Sequence, residues 1–304
     1  MRFSIWPGGH RSWDDLLSLA QHAEATGWDG VYLADHFMPD TGPDGPTADG
    51  PNLECWSALA GLAAATQRVR LGTLVSSVTY RHPAVLAKIA AAIDNISAGR
   101  LLLGVGAGWQ QNEHTAYGLE LGSVKERLDR FEEAVQVLLG LSREPRTTFT
   151  GEYFTVTDAP NQPAPVQQPL PLLIGGSGEK RTMRIAARFA DEWNAWTTPE
   201  LMAQKQAVLA RHCDDLGRDR HEITVSTQAL LYLSTDESWL AKYRDRDPGR
   251  PRIIGTPAEV VDIVAAYRDV GVDELILPDF TMSSAALARD VYDLFMTEVA
   301  PHFA

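Results

Sequence analysis

The sequence predicts an α/β protein with the (β/α)8 TIM-barrel fold, and three observations support this: alternation, length and the absence of linkers. Short apolar runs alternate with longer helical patterns about eight times along the 304 residues. Repeated strand–helix alternation indicates a parallel sheet. Eight such units in a chain of roughly 250–300 residues favour a closed barrel over an open sheet. Because no long flexible linker interrupts the alternation, we predict a single domain over residues 1–304.

The first four units are marked by short apolar strands and by residues that cap helices. Ser12 predicts the start of the first helix and Gly27 its end, while Pro83 opens the third helix. The predicted strands are RFSIW, DGVYLAD, VRLGTLVSS and RLLLGVGAG, and the helices that follow them are SWDDLLSLAQHAEATG, LECWSALAGLAAAT, PAVLAKIAAAIDNISAG and VKERLDRFEEAVQVLLGL.

The alternation pauses over an insertion at about residues 143–170 and then resumes. The stretch TFTGEYFTVTDAPNQPAPVQQP predicts a hairpin followed by a proline-rich excursion. In the second half, Thr256 is the predicted cap of the helix TPAEVVDIVAAYRDVG. The predicted strands of this half are PLLIGG, DEWNAW, the long strand ITVSTQALLYL, and ELILPDF.

The composition excludes several classes of function. The net charge is −13 and the pI about 5.0, a poor match for polyanions, so we expect no nucleic-acid partner. Two cysteines cannot form a disulfide framework, and no His, Cys, Asp or Glu group has metal-ligand spacing, so we expect no metal. No apolar run approaches the roughly 20 residues that cross a bilayer, and the N-terminus has no secretory pattern. We therefore expect a cytoplasmic protein without a membrane partner.

Three glycines at alternate positions end the fourth predicted strand. Gly104, Gly106 and Gly108 read G-x-G-x-G, and Trp109 occupies the position of the third glycine in the dinucleotide-binding pattern G-x-G-x-x-G. We therefore interpret them as a place where backbone without Cβ atoms approaches a flat ligand. In a barrel, the C-terminal ends of the strands build the active site.

A second glycine cluster lies between the fifth strand and its helix, in LIGGSGEKR. Gly175, Gly176 and Ser177 offer backbone N–H groups without side-chain bulk, and Lys180 and Arg181 follow. Such a loop suits a phosphate. The alternative is an ordinary tight turn between strand and helix.

These residues together resemble the luciferase-like flavin and deazaflavin oxidoreductase superfamily, and within it the deazaflavin (coenzyme F420) branch. The resemblance covers nearly the whole chain in order. It is carried by AEATGWDGVYLADHF, RVRLGTLVSSVTYRHPAVLAKIAAAIDNISAGRLLLGVGAGW, NEHTAYG, KERLDRFEEAV, PLLIGGSGEKRTMRIAARFADEWN and GTPAEVVDIVAAYRDVGVDELIL.

The resemblance implies a site for coenzyme F420. Leu74–Val75 match the position where deazaflavin members carry a non-proline cis peptide behind the ring. Gly106 and Ala107 match a backbone segment that contacts the isoalloxazine. The loop that holds the cofactor phosphate is matched by Gly175, Gly176 and Ser177.

The resemblance also implies the catalytic residues Asp35 and His36, which match an Asp-His pair near the reactive ring. His36 is the candidate for handling a proton, whereas Asp35 either orients the imidazole or caps a turn. A structural histidine is the alternative for His36. Trp109 departs from the pattern, because sugar-phosphate dehydrogenases of this branch have an acidic residue there. We therefore expect a substrate other than glucose 6-phosphate.

Four residues are predicted to line the substrate pocket: Trp56, Trp109, Glu113 and Asp279. Three of them have a structural alternative. Trp56 could pack in the core, Glu113 could be a loop surface residue together with His114, and Asp279 could bond to a neighbouring loop.

The predicted function is hydride transfer between coenzyme F420 and an unidentified small organic substrate. One alternative is an FMN-dependent monooxygenase on the same barrel. An alternative of another class is a non-catalytic flavin-binding barrel. The expected partners are the small-molecule substrate and a second copy of the chain, as a homodimer.

Overall fold

The computed structural model describes residues 1–42, 45–247 and 249–303. The strands are β1 (Arg2–Trp6), β2 (Gly30–Leu33), β3 (Arg70–Thr73), β4 (Ser76–Ser77), β5 (Leu101–Gly106), β6 (Thr147–Thr150), β7 (Thr155–Ala159), β8 (Leu172–Gly175), β9 (Glu192–Trp196), β10 (Thr224–Gln228), β11 (Leu230–Leu233), β12 (Arg252–Gly255) and β13 (Glu274–Pro278). The α-helices are α1 (Trp13–Thr26), α2 (Cys55–Ala65), α3 (Pro83–Ile96), α4 (Gln111–Ala116), α5 (Val124–Arg143), α6 (Thr182–Phe189), α7 (Pro199–Leu216), α8 (Glu237–Arg244), α9 (Pro257–Asp269) and α10 (Ala285–Glu298). Two short 3-10 helices cover Arg220–Glu222 and Ala300–Phe303.

The strand order confirms the predicted fold class. The main sheet runs β3-β2-β1-β13-β10-β9-β8-β5-β4, and β3 also pairs with β5. This additional pairing joins the two ends of the strand order, as a closed (β/α)8 barrel requires.

The chain forms two compact units. The first consists of Met1–Gly8, Trp13–Tyr32 and Gly176–Ala304. In it β1 pairs in parallel with β2 and β13, and β10 pairs in parallel with β9 and β13. One face of these strands carries buried polar side chains that bond to one another: Ser4 Oγ donates to Glu274 at 2.6 Å, and Asn194 Nδ2 donates to Ser226 at 2.9 Å.

The second unit consists of Gly9–Ser12 and Leu33–Gly175. Here β5 pairs in parallel with β3, β4 and β8. The predicted third strand is divided into β3 and β4 by the Leu74–Val75 peptide, which is cis, as the resemblance implies. The predicted hairpin is also present, as the antiparallel pair β6–β7. A single domain over residues 1–304 stays a prediction.

The prediction of one long strand over ITVSTQALLYL is wrong. β10 pairs with β9 and β13, whereas β11 pairs with β12 in a separate two-stranded sheet. The chain therefore changes sheets at Ala229, a change that an unbroken apolar run does not reveal. The short elements α8 and β12 were not predicted. A signal for α8 was present, because Asp236 caps it by accepting hydrogen bonds from the N–H groups of Ser238 and Trp239.

Within the part of the chain that the structure describes, no helix combines the length and the apolar character that crossing a bilayer requires.

Candidate active site

The side chain that follows β2, Asp35, is buried and is held by three other side chains. Arg81 donates two hydrogen bonds to it, at 2.6 Å to Oδ2 and 3.2 Å to Oδ1. Ser76 Oγ and Trp56 Nε1 also donate to Oδ2, at 2.5 and 3.3 Å. A carboxylate with four such bonds is an anchor for the surrounding loops. The imidazole of His36 is bonded by another carboxylate, described below, and a role of Asp35 in orienting the imidazole stays a prediction.

Arg81 extends this anchor to the start of α2. Its Nη2 donates to Glu54 Oε1 at 2.7 Å, and Glu54 in turn caps α2 by accepting from the N–H groups of Trp56 and Ser57. Burial alone would raise the pKa of Glu54, but the hydrogen bonds from Ser57 and the Arg81 charge outweigh burial and lower it. Glu54 is consequently ionised at neutral pH.

His36 is held by a buried carboxylate from a distant part of the chain. Its Nδ1 lies 2.9 Å from Oε2 of Glu113, and Tyr80 donates its hydroxyl to the same oxygen. The other oxygen, Oε1, accepts from the backbone N–H groups of Phe37 and Met38, the second at 3.2 Å. Glu113 is 0% exposed, whereas the His36 side chain is 22% exposed. Nδ1 of His36 is thus fixed by a buried carboxylate, while another part of the imidazole is exposed at the surface.

The protonation states of this cluster follow from its hydrogen bonds. Burial would raise the pKa of Glu113, but hydrogen bonds from His36 and Tyr80 outweigh burial, and the pKa lies below its usual value. Burial and the neighbouring Glu113 carboxylate raise the pKa of Tyr80 far above its usual value. At neutral pH Glu113 is therefore an ionised acceptor and Tyr80 a protonated donor. Since a carboxylate only accepts, Nδ1 of His36 carries the hydrogen that it shares with Glu113.

Glu113 and its neighbour His114 do not lie on a surface loop, the alternative considered from the sequence. Both are buried in the six-residue helix α4. His114 Nε2 lies 2.6 Å from Thr79 Oγ1, its Nδ1 lies 2.7 Å from the Gln110 carbonyl, and burial lowers its pKa. This helix could not be predicted from the sequence, because it is short and has no apolar period. A possible signal was the acid–histidine pair directly after a glycine-rich strand end.

Of the four predicted pocket residues, Trp109 is exposed and the other three are buried. It is 42% exposed, and its ring centroid lies 5.7 Å from that of His36 in an edge-on arrangement. Glu113 is buried as described, and Trp56 is buried against Asp35. Asp279 is also buried and accepts a 2.8 Å hydrogen bond from the Gly8 N–H, which agrees with its alternative role as a link to a neighbouring loop.

Val75 is enclosed between two strands whose glycines leave room for it. A Cβ atom at Gly106 would lie 2.8 Å from Val75 Cγ2, and one at Gly175 would lie 2.7 Å from Val75 Cγ1. Both distances are too short for real side chains, so the end of β5 and the end of β8 must be bare backbone beside Val75. Leu74 is buried, and Ala107 continues the chain after β5. The result is a low, apolar surface of the kind that a flat ring requires.

The second glycine cluster lies in the first unit. Gly176 has φ +126°, a conformation that favours glycine, and its N–H donates to the Asn194 carbonyl at 2.9 Å. The Gly176 N–H is therefore already used within the protein. A cation that the sequence did not predict, Lys205, donates to the Ser177 carbonyl at 3.2 Å and pairs with Glu179 at 2.8 Å.

Comparisons with known proteins identify relatives that are named for coenzyme F420. One relative, named F420-dependent glucose-6-phosphate dehydrogenase from Microbacterium testaceum, is 37% identical over 76% of this chain and 68% of its own length. Another, named F420-dependent hydroxymycolic acid dehydrogenase from Mycobacterium tuberculosis, is 31% identical over 72% of this chain and 58% of its own length. The glucose-6-phosphate dehydrogenase of Kineococcus radiotolerans is matched over only 50% of its length, so the chain spans about half of some curated relatives.

Two solved structures show the same fold over the whole chain. An F420-dependent secondary alcohol dehydrogenase, in complex with an F420-acetone adduct, has a TM-score of 0.84 at 21% identity and is covered over 100% of both chains. The F420-dependent tetrahydromethanopterin reductase of Methanopyrus kandleri has a TM-score of 0.83 at 17% identity, covering 100% of this chain and 99% of that one. The model of the luciferase-like monooxygenase family matches residues 1–252, and the chain therefore belongs to that family.

Proposed function

We propose that this protein is an F420-dependent oxidoreductase that transfers a hydride between coenzyme F420 and a small organic substrate. The observation that carries the proposal is the pair of His36 and Glu113, an imidazole that reaches the surface while a buried carboxylate holds its inner nitrogen. The choice of coenzyme is supported by relatives at 37% and 31% identity that are named F420-dependent dehydrogenases.

The residues beside Val75 fit a flat cofactor ring. The ring would lie against Leu74, Val75, Gly106, Ala107 and Gly175. At positions 106 and 175 any residue other than glycine would displace Val75 with its Cβ atom. When bound, deazaflavin accepts or donates a hydride at C5 and does not activate oxygen as FMN does. Gly176 and Ser177 keep their predicted role at the cofactor phosphate.

The chain itself supplies the proton chemistry. With Nδ1 bonded to Glu113, the opposite nitrogen Nε2 of His36 is the atom that takes or gives a proton when substrate is oxidised or reduced. The Glu113 carboxylate holds the imidazole through Nδ1, and Tyr80 stays protonated as a hydrogen-bond donor to Glu113. Asp35 contributes by holding Arg81 rather than by transferring a proton.

The substrate is not expected to be a sugar phosphate. Trp109 presents an exposed aromatic ring next to His36, at the position where, as the resemblance implies, sugar-phosphate dehydrogenases of this branch have an acidic residue. An apolar surface at this point favours an apolar substrate.

Titration of the purified apo-protein with F420 and, separately, with FMN tests the proposal. We expect F420 to bind at least about tenfold more tightly, and its visible absorption to bleach anaerobically with a suitable alcohol in a panel. Tighter binding of FMN, with oxygen consumption once a chemical reductant has reduced the bound FMN, would instead establish a monooxygenase. Binding of either cofactor without turnover by any reductant or substrate would favour a non-catalytic barrel. Light scattering would test the predicted homodimer in the same samples.

A further inference from the structure

A second group of aromatic side chains lies at strand ends of the first unit. Trp6 ends β1, Trp196 ends β9, and Phe280 follows β13 by two residues. The ring centroid of Trp6 lies 5.8 Å from that of Trp196 and 5.1 Å from that of Phe280. Phe280 is 43% exposed. These three residues, together with Gln228, are called the aromatic strand-end cluster below.

The strand register brings Gln228 to the same face as the aromatic rings. Gln228 ends β10 and is the register partner of both Trp196 in β9 and Ile276 in β13. Trp6 is the register partner of Pro278. Partners in parallel strands point to the same face, as do residues two apart in one strand. Trp6, Gln228 and Trp196 therefore share one face of the sheet at its C-terminal edge.

Two polar atoms of this cluster are buried and lack a partner among the described residues. They are the indole Nε1 of Trp6, a hydrogen-bond donor, and Oε1 of Gln228, an acceptor. Deeper on the same face, the side chains of Ser4 and Asn194 are hydrogen-bonded. Buried polar groups in native proteins nearly always have partners. An unpaired donor and an unpaired acceptor next to an exposed aromatic ring therefore point to a ligand that supplies both partners.

We propose that the aromatic strand-end cluster binds an apolar ring compound that carries a hydroxyl group. The rings of Trp196 and Phe280 would contact the apolar part. A hydroxyl oxygen can accept from Trp6 Nε1 while its hydrogen is donated to Gln228 Oε1, so this single group satisfies both buried atoms. The inference rests on the proposed function, because we take the substrate to belong to this class of compound. Arg250 covers one ring of the cluster, with its guanidinium 4.8 Å from the Trp196 centroid.

The test compares binding of 2-naphthol, naphthalene and glucose 6-phosphate, followed by tryptophan fluorescence in the full-length protein. The key variant is Gln228→Met, which keeps the side-chain length and removes the amide. We expect it to weaken 2-naphthol binding about fivefold to tenfold, the usual effect of one hydrogen bond, and to leave naphthalene binding unchanged. Trp6→Phe should produce the same selective loss.

Thermal unfolding of the unliganded variant separates a binding role from a structural one. Removal of a buried amide oxygen that has no partner among the described residues should leave the melting temperature of Gln228→Met equal to the wild-type value or higher. If the melting temperature of the variant falls and the binding of 2-naphthol and of naphthalene weakens equally, Gln228 is a structural residue and the inference is overturned. The inference is also overturned if the wild-type protein does not bind 2-naphthol, or if glucose 6-phosphate displaces bound 2-naphthol.

F420 titration of the same wild-type sample keeps the two proposals apart. Selective 2-naphthol binding without F420 binding would contradict the proposed function and support the hydroxyl site. F420 binding without 2-naphthol binding would do the reverse.

Discussion

Nδ1 of His36 and Oε2 of Glu113 lie 2.9 Å apart, although 77 positions separate the two residues in the chain. Asp35, the immediate neighbour of His36, bonds instead to Arg81, Ser76 and Trp56. The two carboxylates near the end of β2 thus have different tasks. Asp35 holds the loops together, and Glu113 fixes the histidine.

Replacing His36 by alanine should abolish most turnover without loss of the cofactor. In the proposed site the ring contacts Val75 and the adjoining glycines and not His36, so the His36→Ala variant should bind F420 with near wild-type affinity. Its turnover should fall by about 10²–10⁴, the usual range for a lost general acid or base. Turnover per folded molecule measures the effect. A variant that is less stable but keeps its turnover would make His36 a structural residue.

Glu113→Gln should change which nitrogen of His36 carries the hydrogen. In the wild type the neutral imidazole should be protonated at Nδ1, because the ionised carboxylate only accepts. A glutamine amide can donate to Nδ1 and so favour hydrogen at Nε2. Long-range ¹H–¹⁵N NMR of the unliganded protein shows directly which imidazole nitrogen carries the hydrogen. The pair of His22 Nε2 and Asp293, at 2.7 Å, lies in the other unit and serves as the internal reference that should not change.

The same variant should reveal the pH dependence that Glu113 imposes on stability. The pKa of Glu113 is lowered in the folded protein because its hydrogen bonds outweigh burial. Its ionised form therefore stabilises the fold above the usual carboxyl pKa, and this stabilisation is lost as pH falls through the lower folded pKa. The difference in free energy of unfolding between wild type and Glu113→Gln should be constant near neutrality and shrink on acidification. A difference that is independent of pH would contradict this.

Asp35→Asn should destabilise the protein by about 3 kcal/mol, since it removes the buried partner of a largely buried Arg81. Urea unfolding provides the measurement. The matched control is Asp129→Asn, which breaks the surface pair with Lys125 at 2.7 Å and should leave the unfolding midpoint unchanged. If the two variants unfold alike, the Asp35–Arg81 pair is not the anchor described above.

Gly106→Ala should disturb the surface beside Val75. The new Cβ would meet Val75 Cγ2 at 2.8 Å, so we expect a loss of about 1–3 kcal/mol in stability and weaker F420 binding. Shortening Val75 to alanine in the same protein should recover part of the stability, because the clash is removed. Additive effects of the two changes would show that they do not interact.

The fold and part of the site could be predicted because they depend on local patterns. Alternating strands and helices place His36 at the end of β2, and the resemblance identified the cis peptide at Leu74–Val75. The partner of His36 could not be predicted, since Glu113 lies on a six-residue polar helix with no apolar period. The break between β10 and β11 was missed for a related reason. Both segments are apolar, and only their pairing partners distinguish them.

The short connection between β5 and α4 also suggests how this protein can evolve. Trp109 is exposed, while Glu113, four positions later, is enclosed and bonded on both oxygens. Selection can therefore exchange the residue at position 109 for one that suits a new substrate, while the bonded pair of His36 and Glu113 stays intact. In a laboratory library, position 109 is the place where broad substitution should yield changed specificity with few inactive clones.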